Sequence, residues 1–271
     1  MPARKKPSRA SRAIATAIPG VRLVAVIDIG ATAIRMEIAA IDANGVTKTI
    51  DSLSNPANLG KDAFSGGVIQ RRTIEECVEI LRRYRKVVEE YGITDRASIS
   101  AVATSAVQEA ANREQFLDRV YMATGIPVEC IEDIELSRLT YLAVRDLLHR
   151  TGFPKPWDHL VVEVGGGSTE VLVIQDGRVT FSDTYRLGSR RLREALEAYH
   201  APAHRSRAIL LQDIRRTIGQ LRPALPPGRV PNMIAMSGDA RFAASLTVPG
   251  WDRQDLGAIA PRVWSKLTEK V

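Results

Sequence analysis

Short apolar runs alternate with longer amphipathic stretches along this chain, and the alternation predicts an α/β protein. Near the start, three apolar runs are separated by turn residues such as Asn44-Gly45, which favours an antiparallel meander. Apolar residues at helical spacing over 68–91 and 133–150 predict two long helices. The strands predicted in this half are Leu23–Ile29, Ile34–Ile41, Val46–Ser52, Ser98–Ala103 and Pro127–Ile131.

The connecting segments suggest where the chain divides. Residues 54–66 are rich in Asn, Gly and Pro, so we predict a loop there, and Asn112 is expected to cap a helix that runs to Ala123. Residues 151–157 have the glycine and prolines typical of a linker. We expect a basic disordered tail over 1–21, a first lobe over 22–150 and a shortened second lobe over 158–271.

The second half repeats the alternation of strands and helices. Two strands fill 160–178 and a third ends at Arg186. Helices are predicted from Gly188 to Tyr199, from His204 to Leu221 and from Asp239 to Leu246, with a strand at Asn232–Met236.

The most informative stretch is Leu160–Arg178, in which two apolar runs flank a turn of three glycines followed by Ser and Thr. Consecutive glycines let the backbone approach a ligand, and their amides can point at an anion. Glu163 and Glu170, one at each end, suit a divalent cation or a water, because they would repel a bare phosphate. The stretch therefore predicts a site for phosphate with a metal. A tight hairpin without a ligand is the structural alternative.

A second copy of this pattern lies near the start of the chain. Both copies read as strand, acid, glycine turn, strand and polar turn, and a repeat half a chain apart implies two related lobes. The alignment pairs Asp28 with Glu163, Gly30 with Gly165, Ala33 with Ser168 and Arg35 with Glu170.

Several motifs recur in order along the chain: Asp28-Ile29-Gly30, Ala103–Ala106, Arg138–Leu142, Gly165–Glu170, and Leu187-Gly188 with Arg191-Leu192. In their order and spacing they resemble the exopolyphosphatase and guanosine pentaphosphate phosphohydrolase (Ppx/GppA) family. The resemblance covers roughly residues 23–267. It implies a two-lobed actin-like ATPase (ribonuclease H-like) fold with a duplicated β-meander and an interlobe cleft.

The resemblance implies that Mg²⁺-assisted attack by water releases the terminal phosphate of inorganic polyphosphate or guanosine pentaphosphate. It implies metal ligands at Asp28, Glu163 and Glu170, and catalytic carboxylates at Glu135 and Glu170. Arg186, Arg190, Arg191 and Arg193 could line a path for a polyanion or form a solvated helix face. The implied substrate contacts are Gly30, Thr32, Thr104, Ser105, Gln108, Gly165, Gly166, Gly167, Ser168, Thr169 and Arg191.

Departures from the family pattern leave the activity open. Leu136 stands where the family has its catalytic glutamate, and Glu135, one residue earlier, would need a shift of about 100° around the helix to replace it. Ala31, Ala33 and Gln108 remove polar or charged contacts to phosphate. The chain is therefore either a hydrolase with a relocated carboxylate or an inert relative that binds polyphosphate or a phosphorylated nucleotide as a sensor or partner subunit. A small-molecule kinase of the same superfamily is a third, weaker alternative.

Charge and composition bear on which classes of partner the protein has and on its cellular compartment. The net charge is +7, but the first 21 residues carry five basic side chains and no acid, which fits a solubilising extension better than a transit peptide or a nucleic-acid arm. Cys77 and Cys130 stand alone, which fits a reducing cytoplasm. No apolar run is long enough to span a membrane. We expect no membrane or nucleic-acid partner and leave a homodimer open.

Overall fold

The computed structural model describes residues 20–153, 158–198, 200, 202–225, 232–251 and 256–270. The predicted tail up to residue 19 and the linker residues 154–157 lie outside the described residues. The chain divides into two compact units. One holds the described residues up to Ile131 together with Arg193–Ala198, and the other holds Glu132–Leu192 and the described residues after Ala198.

The first unit is built on a five-stranded sheet in the order β3-β2-β1-β4-β5. Strands β1, β2 and β3 form the predicted antiparallel meander, while β4 and β5 continue the sheet in parallel from β1. Gly45 takes a positive φ of 79° in the turn between β2 and β3. The strands are β1 (Arg22–Ile29), β2 (Ala33–Ile41), β3 (Thr47–Pro56), β4 (Ile99–Ala103) and β5 (Glu129–Cys130).

Four helices accompany this sheet, and their apolar faces make one large core with it. Ile27, Ile34 and Leu81 are fully buried in this core. The buried Tyr84 donates its hydroxyl to the carbonyl oxygen of Ile34 at 2.8 Å, which fixes the long helix against β2. The helices are α1 (Leu59–Gly66), α2 (Arg71–Glu90), α3 (Ser105–Gln108) and α4 (Arg113–Thr124), and a short 3-10 turn spans Arg96–Ser98.

The second unit repeats the meander in a four-stranded sheet of order β8-β7-β6-β9. Strands β6, β7 and β8 are antiparallel neighbours, and β9 runs parallel to β6, as β4 does to β1. The first six residues of β7 are all buried, so this strand is covered on both faces. The strands are β6 (His159–Val164), β7 (Thr169–Gln175), β8 (Arg178–Tyr185) and β9 (Asn232–Met236).

Helix α5 (Asp133–Arg150) covers one face of this second sheet. Its buried residues are Ser137, Thr140, Val144 and Leu148, which share one side of the helix. Val144 and Leu148 form an apolar cluster with residues of β6 and β7, so α5 belongs to the second unit although the sequence analysis grouped it with the first. The later helices are α6 (Ser189–Ala198), α7 (Ala203–Ala224), α8 (Gly238–Thr247) and α9 (Pro261–Lys270).

The predicted fold class is confirmed, because two sheets with helices carry the same meander twice. The loop predicted over 54–66 was wrong: β3 continues to Pro56 and α1 follows, because Leu59 and Ala63 are buried and outweigh the loop-like composition. Asn112 does precede α4, but its side chain does not cap it. It instead exchanges two hydrogen bonds of 2.9 Å with the backbone of Ile69.

Both cysteines are free thiols, with Cys77 buried and Cys130 half-buried. Burial raises the pKa of Cys77 to about 12, so this thiol stays protonated and unreactive. Among the described helices, none is both long enough and apolar enough to cross a bilayer.

His159, at the start of β6, is 0% exposed. The ring of Phe153 meets it edge-on with centroids 5.3 Å apart, and neither ring nitrogen has a hydrogen-bond partner among the described residues. Burial lowers the pKa of His159 from its ordinary value near 6.5 and outweighs the opposing effect of the neighbouring Asp158. The imidazole is therefore held neutral in the folded protein.

We expect the folded state to lose stability on acidification below about pH 6.5 in part through His159. Below that pH this histidine takes up a proton in the unfolded chain but stays neutral in the folded chain. The free energy of unfolding therefore falls by up to about 1.4 kcal/mol per pH unit. His159→Leu should flatten the free energy of unfolding between pH 7 and pH 5, as measured by urea titration. His149→Leu, at an exposed position, is the control and should leave the pH dependence of the free energy of unfolding unchanged. The same pH dependence in wild type and His159→Leu would contradict this account.

Candidate active site: two glycine loops and a carboxylate pair

The second glycine loop joins β6 to β7 and is closed by a 2.9 Å hydrogen bond from the amide of Gly165 to the carbonyl oxygen of Ser168. The start of α6 holds its other carbonyl oxygens. That of Gly165 accepts from the amide of Ser189 at 3.0 Å, and that of Gly166 accepts from the amides of Arg190 at 2.9 Å and Arg191 at 3.0 Å. The amides at 166–168 have no acceptor among the described residues. The loop thus keeps a run of backbone donors for an anion.

The contact between loop and helix leaves no space for a side chain at Gly188. A Cβ there would lie 2.4 Å from the carbonyl oxygen of Gly166 and 2.4 Å from the carbonyl carbon of Gly167. Two predicted substrate contacts also brace the loop. The Nε of Arg191 donates to the carbonyl oxygen of Gly167 at 2.7 Å. The hydroxyl of Thr169 donates to the carbonyl oxygen of Leu187. The only hydroxyl proton of Thr169 is therefore committed within the protein.

The first glycine loop, between β1 and β2, is held in the same manner by α1 and the residues before it. The amide of Gly30 donates to the carbonyl oxygen of Ala33 at 3.0 Å, which matches the closing bond of the second loop. The amide of Gly60 donates to Ala31 at 2.8 Å, and that of Ala57 donates to Thr32 at 3.0 Å. The repeat seen in the sequence is thus a repeat of hydrogen bonds.

Two carboxylates lie opposite each other beside the second loop, because Glu163 of β6 is the register partner of Glu170 of β7. Glu170 is 2% exposed. Its Oε2 accepts a 2.7 Å hydrogen bond from the hydroxyl of Thr140, which lies 3.4 Å from Oε2 of Glu163. The Oε1 of Glu170 has no partner among the described residues. Like charges directly opposite on a sheet are unfavourable, and carboxylates in this arrangement are groups that could hold a cation.

The corresponding positions of the first loop carry an acid and a base. Arg35 is the register partner of Asp28, and its guanidinium donates to the carboxylate at 3.2 Å. Burial raises the pKa of Asp28, and Arg35 opposes the rise. A cation at Asp28 would have to compete with Arg35, so this carboxylate is a poorer metal ligand than Glu170.

The remaining predicted contacts of the first unit gather at the end of β4. Ala103 is the register partner of Ile29, and the amide of Thr104 donates to the carbonyl oxygen of Ile29 at 3.3 Å. Thr104 and Ser105 therefore follow β4 directly beside Gly30, which follows β1. Gln108, at the end of α3, is half-buried.

Glu135 is not brought to Glu170. It lies about 160° from Ser137 and about 140° from Thr140 around the axis of α5, so it is on the side away from the sheet. Arg138 holds both of its oxygens at 2.8 and 2.7 Å and lowers the pKa of Glu135, which makes the carboxylate a weaker base. Leu136, in contrast, is one turn before Thr140 and about 40° from it.

The sequence of residues 38–244 matches the model of the Ppx/GppA phosphatase family. The chain belongs to that family. A solved Ppx/GppA protein of Aquifex aeolicus is 26% identical, with a TM-score of 0.71 over 92% of this chain and 78% of that one. An exopolyphosphatase structure from Cytophaga hutchinsonii is 19% identical and shares the fold, with a TM-score of 0.80 over 92% of this chain and 79% of its own.

Among curated relatives, exopolyphosphatase 1 of Mycobacterium tuberculosis is 29% identical over 192 residues, which are 69% of this chain and 52% of that protein. The chain therefore spans about half the length of the curated exopolyphosphatases that it matches.

For a Ppx/GppA chain, the second unit offers a compact set of groups suited to phosphate chemistry. It brings together the loop amides, Glu163 and Glu170, while Glu135 points elsewhere. Sequence reasoning missed Thr140 and the packing roles of Gly60 and Gly188. The glycines carried a signal, because each stands just before or at the start of a helix that follows a glycine loop. Thr140 lies within the Arg138–Leu142 motif, but nothing in the sequence indicated its contact with Glu170.

We expect Gly188→Ala to displace the second glycine loop, because its Cβ has no space beside Gly166. Overpacking of this kind costs about 1–3 kcal/mol, and binding of inorganic phosphate should fall with it. Urea unfolding and calorimetry measure the two effects. Gly219→Ala is the matched control, since Gly219 lies inside α7 with nothing within 4 Å of its Cβ position and should gain about 0.5–1 kcal/mol. Equal stability of the two variants would show that Gly188 is not closely packed against the second glycine loop.

Proposed function

We propose that this chain releases terminal phosphate from inorganic polyphosphate or guanosine pentaphosphate with the help of Mg²⁺. The observation that carries the proposal is the buried carboxylate of Glu170, whose Oε1 has no partner among the described residues. Glu170 is the second residue of β7, the strand that follows three uncommitted amides. A buried acceptor beside a run of donors suits a ligand that combines a cation with an anion.

The donor set fits Mg²⁺ in particular. Within the described ranges, no group of three or more His, Cys, Asp or Glu side chains is placed to enclose a metal. Mg²⁺ does not require such a cage, because it keeps several waters and binds one or two carboxylates together with substrate phosphates. Glu163 and Glu170 would supply those carboxylates. When bound, Mg²⁺ neutralises charge on the phosphoryl oxygens.

The protein's own groups would act mainly by positioning and by charge stabilisation. Amides at 166–168 would hold the terminal phosphoryl oxygens, since fixed donors stabilise the charge that builds up there. In the first unit, the amides at Ala31 and Thr32 likewise lack acceptors among the described residues. Arg186, in the same unit as the second glycine loop, is exposed and adds positive charge for a polyanion.

Activation of the water is the step for which the chain is least equipped. Glu170 is the buried carboxylate available to orient the water beside the cation, while Leu136 adds no acid and Glu135 is held by Arg138. A general base contributes about 100-fold to 10,000-fold, so we expect a slow hydrolase. Phosphoryl transfer depends little on covalent help from the protein, which leaves room for such an enzyme.

The second candidate is an inert family member that binds the same ligands as a sensor or partner subunit. The ion pair between Glu135 and Arg138 favours it, because the carboxylate nearest in sequence to the family's base is already engaged. In either case we assign the protein to the cytoplasm, where free thiols such as Cys77 persist.

We expect purified protein with Mg²⁺ to release phosphate from long-chain polyphosphate or guanosine pentaphosphate, and Glu170→Gln to reduce the rate by at least about 100-fold. The amide keeps the shape but loses the charge. Glu79→Gln, an exposed change on α2, should keep the wild-type rate. If wild type releases nothing above an EDTA-treated blank yet binds polyphosphate, the hydrolase proposal fails and the inert alternative stands.

Leu136→Glu tests the missing base directly. It would place a carboxylate one turn before Thr140, on the side of α5 that faces Glu170, and we expect phosphate release to rise by about 100-fold. Glu135→Gln should change the rate by less than about twofold, because Glu135 lies on the opposite side of the helix. A loss of activity in Glu135→Gln would instead restore Glu135 as the relocated base.

A further inference from the structure

Helix α5 presents a face whose chemistry changes along its length. Toward its C-terminus, Val144 and Leu148 pack on the apolar residues of β6 and β7. Toward its N-terminus the same face carries Ser137 and Thr140, both buried. The hydroxyl of Ser182 on β8 donates to that of Ser137 at 2.7 Å. The N-terminal half of α5 thus contacts the second sheet through hydroxyl groups, and its C-terminal half does so through apolar side chains.

Thr140 departs from what four other threonines in helices or at their ends do. A helical threonine commonly donates to the carbonyl oxygen four residues earlier. Thr124, Thr151, Thr217 and Thr247 all do so, at 2.8 to 3.1 Å. The hydroxyl of Thr140 instead crosses to the sheet and donates to Glu170 at 2.7 Å.

This single hydrogen bond decides how Glu170 presents its carboxylate. A hydroxyl has one proton, and the distances of 2.7 Å to Glu170 and 3.4 Å to Glu163 assign that proton to Glu170. With Oε2 engaged, Oε1 is the oxygen left for a ligand, and it has no partner among the described residues. The hydroxyl of Thr140 is thus near both carboxylates of this opposing pair.

We propose that Thr140 is a positioning residue that holds Glu170 ready to bind a divalent cation. The inference rests on the proposed function, because it assumes that Glu170 binds Mg²⁺. Side chains that hydrogen-bond to metal ligands contribute about 10-fold to 100-fold to metal affinity, since they fix the ligand before the metal arrives. Thr140 acts through Glu170 and does not itself touch the substrate.

Thr140→Val removes the hydroxyl and keeps the shape, so it should weaken binding of Mn²⁺, used as a probe for Mg²⁺, by at least about 10-fold. Mn²⁺ titration followed by electron paramagnetic resonance measures this without reference to turnover. Thr140→Ser restores a hydroxyl and should bind within about twofold of wild type on the same scale. If turnover is measurable, the Mg²⁺ concentration for half-maximal rate should rise more than kcat falls.

Ser137→Ala is the matched control. It removes a hydroxyl from the same face of α5 and breaks a hydrogen bond of equal length to the same sheet, yet it does not contact Glu170. We expect it to lower the melting temperature while Mn²⁺ affinity stays unchanged. Equal Mn²⁺ binding by wild type and Thr140→Val would overturn the role of Thr140 and leave the metal site standing. A wild type that binds no Mn²⁺ would overturn the metal site and with it the role of Thr140.

Discussion

The second unit depends on the burial of one carboxylate, that of Glu170. Removing an ionised group from water is costly unless hydrogen bonds or an opposite charge replace the lost hydration. Thr140 supplies one hydrogen bond, while Glu163 across the sheet adds a like charge. The order of residues on α5 follows from this, because hydroxyls must meet the sheet where the carboxylates lie and apolar side chains where they do not.

The two halves have the same hydrogen-bonded glycine loop between strands but different side chains beside it. Each loop is closed by an amide-to-carbonyl bond of 2.9 or 3.0 Å and is held from behind by amides at the start of a following helix. At the aligned strand positions, one half has an acid beside a base, Asp28 with Arg35, and the other has two acids. The first pair neutralises itself. The second places two acids opposite each other, which is the reason that the proposed metal site lies in the second half.

The sequence predicted the parts of the molecule that depend on local periodicity and on glycine. The strands of both meanders, the long helices and the repeat were all readable, because apolar spacing and turn residues specify them. Helix α1 was missed because its composition is that of a loop and only tertiary burial of Leu59 and Ala63 stabilises it. The hydrogen bond from Thr140 to Glu170 joins residues 30 positions apart, and no local pattern encodes such a contact. The sequence identified Glu135 as a candidate base, but only the packing of α5 shows that it lies on the side of the helix away from the sheet.

The close packing of Gly188 against the second loop has a consequence for the thermodynamics of binding. A loop whose carbonyl oxygens are already fixed by a helix has little conformational freedom left to lose when an anion arrives. Ordering a mobile loop residue costs about 1–2 kcal/mol, so three amides fixed in advance spare a ligand several kilocalories of unfavourable entropy. For the phosphate ligand that we propose, binding should then be governed by desolvation and charge rather than by loop closure, and its association rate should be set by diffusion and electrostatic steering.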